Sequence, residues 1–415
     1  MIRPPRRLLP LLAALLCLVG VLATPPAASA QAKKKRDASG RVDLESELPA
    51  DARRLALGDN APDFSLKGVD GKTYTLADFK AAPALMVVFL SNHCPYSHAA
   101  ETRLLPLARE FQDKGLAVVA INPNSPEGVA ITELGYSKYN DSYPEMILYA
   151  KEQGFPFPYL YDGDTQQTAK AYGCLATPHV FLFDRARKLR YVGRVDDSRF
   201  ADPATVTSFD ARNAVVALLA GRPVPVGKTL VVGCSTKWKS NQAEIAQADA
   251  RWAQEPVDLE PIDAAGVAAL AKNDSNRLRL INVWATWCAP CVAEFPGLVA
   301  LSRQLTNRDF ELVTLSMDDP KQLAGAKKFL EQQHAAPPGR LKRLLQAEGR
   351  DAVNFLYTGA STDALAAALD PQWPGPLPHT VVIAPGGRII YRHNGPLDFA
   401  ELRAALIKEL GPYYK

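Results

Sequence analysis

The chain has 415 residues, 47% of them hydrophobic and 22% charged, with a formal net charge of +4. That length accommodates two domains of ordinary size with linkers, and that balance excludes both intrinsic disorder and the strongly basic surface of a nucleic-acid-binding protein. Six cysteines in so long a chain also exclude a disulfide scaffold, which crowds its bridges into a short one.

Arg3, Arg6 and Arg7 open the chain, Leu8 to Ala23 is an apolar stretch interrupted by Pro10, and Ala28-Ser29-Ala30 supplies small residues for cleavage. The pattern predicts a secretory signal over residues 1–30, cleaved near Ala30, and therefore export, into a bacterial periplasm. The apolar stretch is shorter than the roughly 20 residues a membrane-spanning helix needs, which makes an uncleaved anchor the lesser alternative. Cys17 follows Leu16 in mid-stretch, unlike a lipidated cysteine. Loss of the signal removes three arginines and no acid, so the mature chain is near neutral and its only expected dealing with a membrane is export. Residues 31–54, with the basic run Lys33 to Arg36, read as a solvated leader.

Two stretches then share one layout of strand, cysteine, long amphipathic helix, strand, and a later Pro-His followed by a further strand. In the first, a hairpin around Asp70-Gly71 leads to a strand over Leu85 to Leu90, Cys94, a helix over Ala99 to Gln112, a strand over Ala117 to Ile121, and Pro178-His179 before Val180 to Phe183. In the second, the corresponding features are Leu278 to Trp284, Cys288, Val292 to Leu305, Glu311 to Leu315, and Pro378-His379 before Thr380 to Ile383. Alternating strands and helices predict an α/β architecture with two similar domains in tandem, residues 55–240 and 257–415, joined by a polar, alanine-rich linker over 241–256.

Cys94 stands between a strand and a helix, but Ser97 occupies the place where a second cysteine would resolve a mixed disulfide, and a hydroxyl cannot do so. In the second stretch the run Trp287-Cys288-Ala289-Pro290-Cys291 does provide both thiols. A cysteine delivered to a helix start meets unpaired amides and the positive end of the helix dipole, which favour the thiolate, so Cys288 is the expected nucleophile. Cys291 lies one turn on, on the same helix face, placed to attack a mixed disulfide at Cys288. Pro290 presets the first turn without wasting an amide. A zinc half-site would need a second ligand pair of suitable spacing, and none follows. Histidines are scattered and there is no glycine-rich phosphate loop, so no cofactor and no metal are expected.

The run Ile281 to Pro296, with Trp373 to Pro378, resembles the TlpA/ResA group of thioredoxin-like proteins, bacterial periplasmic or membrane-tethered dithiol reductants. The resemblance implies a thioredoxin fold of central mixed sheet and flanking helices, with Pro378 as the cis-proline facing the dithiol and Leu377 offering backbone groups to a substrate chain. It makes Asn282 the occupant of a position where ordinary thioredoxins hold a buried Asp, and Glu294 the candidate for proton handling at Cys291. His379 is either structural or tunes the thiolate. The implied partners are disulfide-containing clients, apocytochrome c among them, and a membrane electron donor of the DsbD or CcdA kind.

Ala61 to Leu66 resembles the opening of AhpC/TSA redoxins, and Asn92 to Tyr96, Thr177-Pro178 and Gly233 to Lys239 resemble a group of uncharacterised thioredoxin-like redoxins. This implies a second thioredoxin fold, with Thr177 and Pro178 beside Cys94. A peroxidatic site reads Pro-x-x-x-Thr-x-x-Cys, whereas here Val87 and Ser91 stand in the first two positions, which weighs against a peroxidase. Cys174 and Cys234 are alternative resolving thiols for Cys94, Cys174 because the cis-proline loop of this fold packs near the active-site helix. Three roles stay open for the first domain: a thiol centre recycled by Cys288 and Cys291, a thiol peroxidase, or a degenerate module that holds a client.

Overall fold

The structure, a computed structural model, describes residues 44–414, so the expected signal and most of the leader lie outside the described residues. Ser65–Gly68 (β1) and Thr73–Thr75 (β2) pair antiparallel across the Asp70-Gly71 turn, where Gly71 takes a φ of +83° that a side chain would resist. The apolar run Ala84–Phe89 (β3) is buried along its whole length, as a central strand covered on both faces must be. It leads to Pro95–Phe111 (α1), Leu116–Asn122 (β4), Tyr143–Gln153 (α2), Tyr159–Tyr161 (β5) and Gln167–Tyr172 (α3). Ala176–Thr177 (β6), His179–Phe183 (β7), Leu189–Gly193 (β8), Asp210–Leu219 (α4) and Cys234–Ser235 (β9) complete the first set.

Seven of these strands form one sheet in the order β2-β1-β5-β4-β3-β7-β8, with β3, β4 and β5 parallel and β7 antiparallel to β3. Alternate residues of β3 serve two cores. Met86 and Val88 pack with Leu104 and Phe111 of α1 and Val215 of α4, while Leu85, Val87 and Phe89 pack with Ala169 and Tyr172 of α3. Helices therefore cover both faces.

The stretch expected as a linker contains a helix, Gln242–Trp252 (α5). After it come Glu260–Ile262 (β10), Ala264–Lys272 (α6), Leu278–Trp284 (β11), Ala289–Gln304 (α7), Phe310–Ser316 (β12), Leu323–Gln332 (α8) and Gly339–Ala347 (α9). Asn354–Tyr357 (β13), Thr362–Leu369 (α10), His379–Ile383 (β14), Ile389–Asn394 (β15) and Phe399–Leu410 (α11) follow. The second sheet runs β10-β13-β12-β11-β14-β15, so its last five strands repeat the β5-β4-β3-β7-β8 order of the first. Here too the central strand feeds two cores, Ile281 and Val283 with Val267 and Leu365 on one side, Leu280 with Leu298 and Leu402 on the other. Both halves are thioredoxin-like α/β layers.

Residues 47–415 form one compact unit in which the two sheets are docked. Arg403 on α11 donates to the carbonyls of Leu134 and Ser137 at 2.6 and 2.7 Å, and Arg308 to that of Gly135 at 2.9 Å. Gly135 lies so close to α7 that a Cβ there would come within 2.3 Å of the Gln304 carbonyl oxygen. Among the described residues, no helix is long and apolar enough to cross a membrane.

Candidate active sites at Cys288/Cys291 and at Cys94

Strand β11 ends at Trp284 and delivers Cys288 to the N-cap of α7, with Pro290 in the first turn. Cys288 and Cys291 are joined by a disulfide with a Cα–Cα distance of 5.3 Å, and the Cys291 amide donates to Cys288 Sγ at 3.3 Å. That amide contact is the local device that would hold a thiolate at Cys288 once the bond is reduced. Cys291 is wholly buried and Cys288 nearly so, while the neighbouring Trp287 is 67% exposed. The Leu377–Pro378 bond is cis, and among the described residues no strand pairs with the backbone before it.

Glu294 sits one turn beyond Cys291 on the same helix face and is largely buried. Its Oε1 accepts from Asn282 Nδ2 at 3.1 Å and its Oε2 from the Leu397 amide at 3.0 Å. Burial raises its carboxyl above the ordinary range, against the pull of those two donors. Asn282 also donates to Thr380 Oγ1 at 3.0 Å, which ties the two sequence-chosen residues into one buried chain under the dithiol. His379 is taken up elsewhere: its Nδ1 meets Asn394 Oδ1 at 2.8 Å and its ring stacks on Trp373, so it braces the cis-proline loop.

The loop before Cys288 is fixed by Asp318, which the sequence did not single out. Its carboxylate accepts the Thr286 amide at 3.1 Å, the Thr286 hydroxyl at 2.6 Å and the Ser316 hydroxyl at 2.7 Å.

Cys94 is likewise an N-cap, ahead of Pro95 on α1, and is wholly buried. The Ser97 hydroxyl accepts the Ser91 amide at 3.3 Å. A carboxylate again anchors the residue two before the cysteine: Asp141 accepts the Asn92 amide at 2.7 Å. Asp141 also lies 2.6 Å from His93 Nδ1 and accepts from Asn122 at 3.0 Å, Asn124 at 2.8 Å and Ser91 Oγ at 3.2 Å. Burial would push its carboxyl up, but His93 and the amide donors outweigh that and hold it at about 2. In return His93, whose charge burial opposes, is raised by Asp141.

The Thr177–Pro178 bond is cis, and Cys94 Sγ lies 3.1 Å from the Thr177 carbonyl oxygen. Strand β9 pairs with β6 so that Cys234 stands directly opposite Thr177. Cys234 and Cys94 are close enough that each shifts the titration of the other. Burial disfavours the Cys94 thiolate, yet the neighbouring Cys234, the His93 charge and the polar groups of Thr177 and Ser97 together hold Cys94 well below the ordinary thiol range. Cys234 is pushed up by its bond to Cys94 and by burial.

Cys174 has other company. Its thiol lies 3.4 Å from the Ala176 carbonyl and 3.3 Å from Thr236 Oγ1, it packs in the core with Phe89 and Tyr172, and burial pushes it far up. Of the two thiols named as partners for Cys94, the structure brings Cys234 to it and turns Cys174 into the core. Glu101 on α1 was also not foreseen; burial lifts its carboxyl to about 8, with Tyr149 donating to it at 2.5 Å.

Residues 57–192 match the AhpC/TSA family model and residues 268–406 the Redoxin model. The chain is 31% identical over 133 residues to the thiol:disulfide interchange protein DsbE homolog of Paracoccus denitrificans, covering 32% of this chain and 59% of that protein. It is 32% identical over 142 residues to the thiol:disulfide interchange protein HelX of Rhodobacter capsulatus, covering 34% of this chain and 65% of that one. It thus spans about three fifths of the length of each. A crystal structure of a hypothetical protein from Sinorhizobium meliloti is 39% identical, covers 45% of this chain and 97% of its own, and has a TM-score of 0.40. The chain therefore carries two redoxin-type domains in tandem, an AhpC/TSA-family domain over residues 57–192 and a Redoxin-family domain over residues 268–406.

Proposed function

We propose that the protein is an exported thiol–disulfide oxidoreductase that reduces disulfides of polypeptide clients through Cys288 and Cys291. The observation that carries this reading is the cysteine pair at the start of α7, with the Cys291 amide aimed at Cys288 Sγ beside exposed Trp287 and a backbone edge at Leu377 that no strand among the described residues pairs. In the reduced state the Cys288 thiolate attacks a client sulfur and expels the other client thiolate. Cys291, losing its proton toward the Glu294–Asn282 chain, then attacks Cys288 Sγ and releases the second client thiol. Two electrons pass to the client, and the oxidised pair is reset by an external dithiol, here a membrane donor of the DsbD or CcdA kind. The relatives named as interchange proteins support the reaction class, and periplasmic clients such as apocytochrome c fit it. The domains that do this are residues 257–415 for the dithiol and 55–240 for the Cys94 centre. A Cys291→Ser full-length chain incubated with an oxidised protein client should accumulate a mixed disulfide at Cys288; adducts only at Cys94 would sink the assignment.

Two further readings of Cys94 meet the geometry differently. Peroxidase chemistry loses support because the Ser91 hydroxyl, the expected pocket donor, is given to Asp141. Recycling of Cys94 by the dithiol within one chain is opposed by the docking. Gln304, at the C-terminal end of α7, touches Gly135, whereas Cys288 caps the other end of a 16-residue helix, about 24 Å away. This contact supports exchange between the centres by undocking or through a second chain rather than across the docked surface.

A further inference from the structure

In the first domain Ser97 fills the usual place of a resolving thiol, which leaves Cys174 and Cys234 as the candidates. The chain returns to that site from a long way off. Segment 233–239 is stitched into the domain by the Thr236 amide on the Leu175 carbonyl at 3.2 Å, the Lys237 amide on Asn124 Oδ1 at 2.8 Å and the Ser125 amide on the Lys237 carbonyl at 2.9 Å. Lys237 adds an ion pair with Glu133, and Trp238 is buried. Gly233 passes so near Thr177 that a Cβ would come within 2.3 Å of its carbonyl oxygen, which only glycine permits. The result is a strand register that sets Cys234 opposite Thr177, the residue whose carbonyl touches Cys94 Sγ at 3.1 Å. Directly opposed residues of an antiparallel pair lie about 4.5–5.5 Å apart at Cα, so this register keeps Cys234 beside the residue that Cys94 Sγ touches.

We propose that Cys94 and Cys234 are a second redox couple that closes to a reversible disulfide, and that this couple takes small disulfides rather than polypeptides. The two thiols are not equivalent. Cys94 is held toward the thiolate by His93, paired with Asp141, while the neighbouring Cys94 and burial hold Cys234 as a thiol. Cys94 is thus the attacking sulfur and Cys234 the resolving one. The Cys94 thiolate attacks a disulfide RS–SR, forming Cys94–S–SR and expelling RS⁻. With the Cys94 charge gone, Cys234 yields its proton to the departing thiolate and attacks Cys94 Sγ, expelling the second RS⁻. The balance is one thiolate and one thiol consumed, one disulfide formed, and RSH plus RS⁻ released.

The restriction to small substrates comes from what already occupies the site. β9 fills the backbone edge at Thr177, the counterpart of the edge left open at Leu377. The C-terminal segment of the second domain also reaches this region. Tyr414 packs on Tyr96, with ring centroids 4.5 Å apart, and Tyr413 packs on Tyr136 at 4.8 Å. An extended chain would have to displace both β9 and this aromatic cover.

The test uses the full-length chain with Cys288→Ser and Cys291→Ser, so that its outcome is independent of the dithiol reaction proposed above. The reduced protein is exposed to oxidised glutathione, quenched in acid, alkylated and mapped by peptide mass spectrometry, with an oxidised unfolded polypeptide in a parallel arm. The expected result is a Cys94–Cys234 cross-linked peptide, Cys174 alkylated only after denaturation, and at least a tenfold slower reaction with the polypeptide. Adding Cys234→Ser should replace the cross-link by a stable glutathione adduct on Cys94. Persistence of that adduct with Cys234 free in the parent, a Cys94–Cys174 cross-link, or no reaction at Cys94 would each overturn the couple. Equal rates with both oxidants would overturn its selectivity.

Discussion

Replacing Asp141 by Asn probes how the first centre holds its charge. The carboxylate is wholly buried and accepts from His93, Asn92, Asn122, Asn124 and Ser91, so an amide in its place presents an NH2 to donors and strips His93 of its counter-charge. Removing one partner of a buried pair costs about 3–5 kcal/mol. The titration of the group points the same way: a carboxyl held at about 2 against an ordinary 3.8 favours the folded state by about 2 kcal/mol. Because the folded value is depressed, that contribution is complete above the ordinary value and is lost as the pH falls through about 2. His93 runs the other way: with its folded value raised, its contribution is complete below the ordinary imidazole value and is lost as the pH rises through the raised one. A urea titration with pulsed alkylation of Cys174, a core thiol with no exposure, reports opening of this domain alone. With an m value of about 1–3 kcal/mol per molar, the midpoint of Asp141→Asn at pH 7 should fall by roughly 1–5 M. Cys94 should also label more slowly in the folded variant, since the His93 charge that favours its thiolate is lost. An unchanged midpoint together with unchanged Cys94 labelling would refute this account of the site.

Glu294→Gln should flatten the pH dependence of client reduction by Cys288 and Cys291 above the ordinary carboxylate range, measured as reduction rate from pH 5 to 9. Since burial raises the Glu294 carboxyl, its contribution to stability is full below the ordinary value and lost as pH rises through the raised one, so the Gln variant should gain stability relative to the parent at pH 8 but not at pH 4. Arg403→Ala strands the Leu134 and Ser137 carbonyls at the docking surface, a loss of about 1–3 kcal/mol. Limited proteolysis between residues 240 and 260 should accelerate, and disulfide exchange between the Cys94 centre and the dithiol should speed up if docking is what keeps them apart.

Most of the fold was written in local pattern. Apolar runs such as Leu278 to Trp284 and Ala84 to Phe89 are long, β-branched and bounded by turn residues, and both appear as central strands. The dithiol was legible from its own spacing at a helix start, whereas Asn282 and Glu294 were picked out through the resemblance of Ile281 to Pro296 to the TlpA/ResA group. Asp141 was not, since in Asn140-Asp141-Ser142 it looks like any polar residue before a helix, and only the tertiary fold carries it to His93. Cys174 illustrates the converse: closeness to Pro178 in sequence placed it near the site, but its side chain turns to the face of the sheet shared with Phe89 and Phe181. Cys234 reaches Cys94 through a two-residue ladder, too short to leave any periodic trace in the sequence. The stretch at 241–256 looked like a linker because it lacks a strong apolar stripe; it folds as α5, whose described residues include none that is buried.

The central claim is that Cys288 and Cys291 work as a reductant. Equilibrating the full-length protein carrying Cys94→Ser and Cys234→Ser against glutathione redox buffers, and reading the fraction of the pair oxidised by alkylation and mass, gives its reduction potential. The account predicts a value near that of thioredoxin, about −270 mV; a value near −120 mV, that of a strong oxidant, would contradict it.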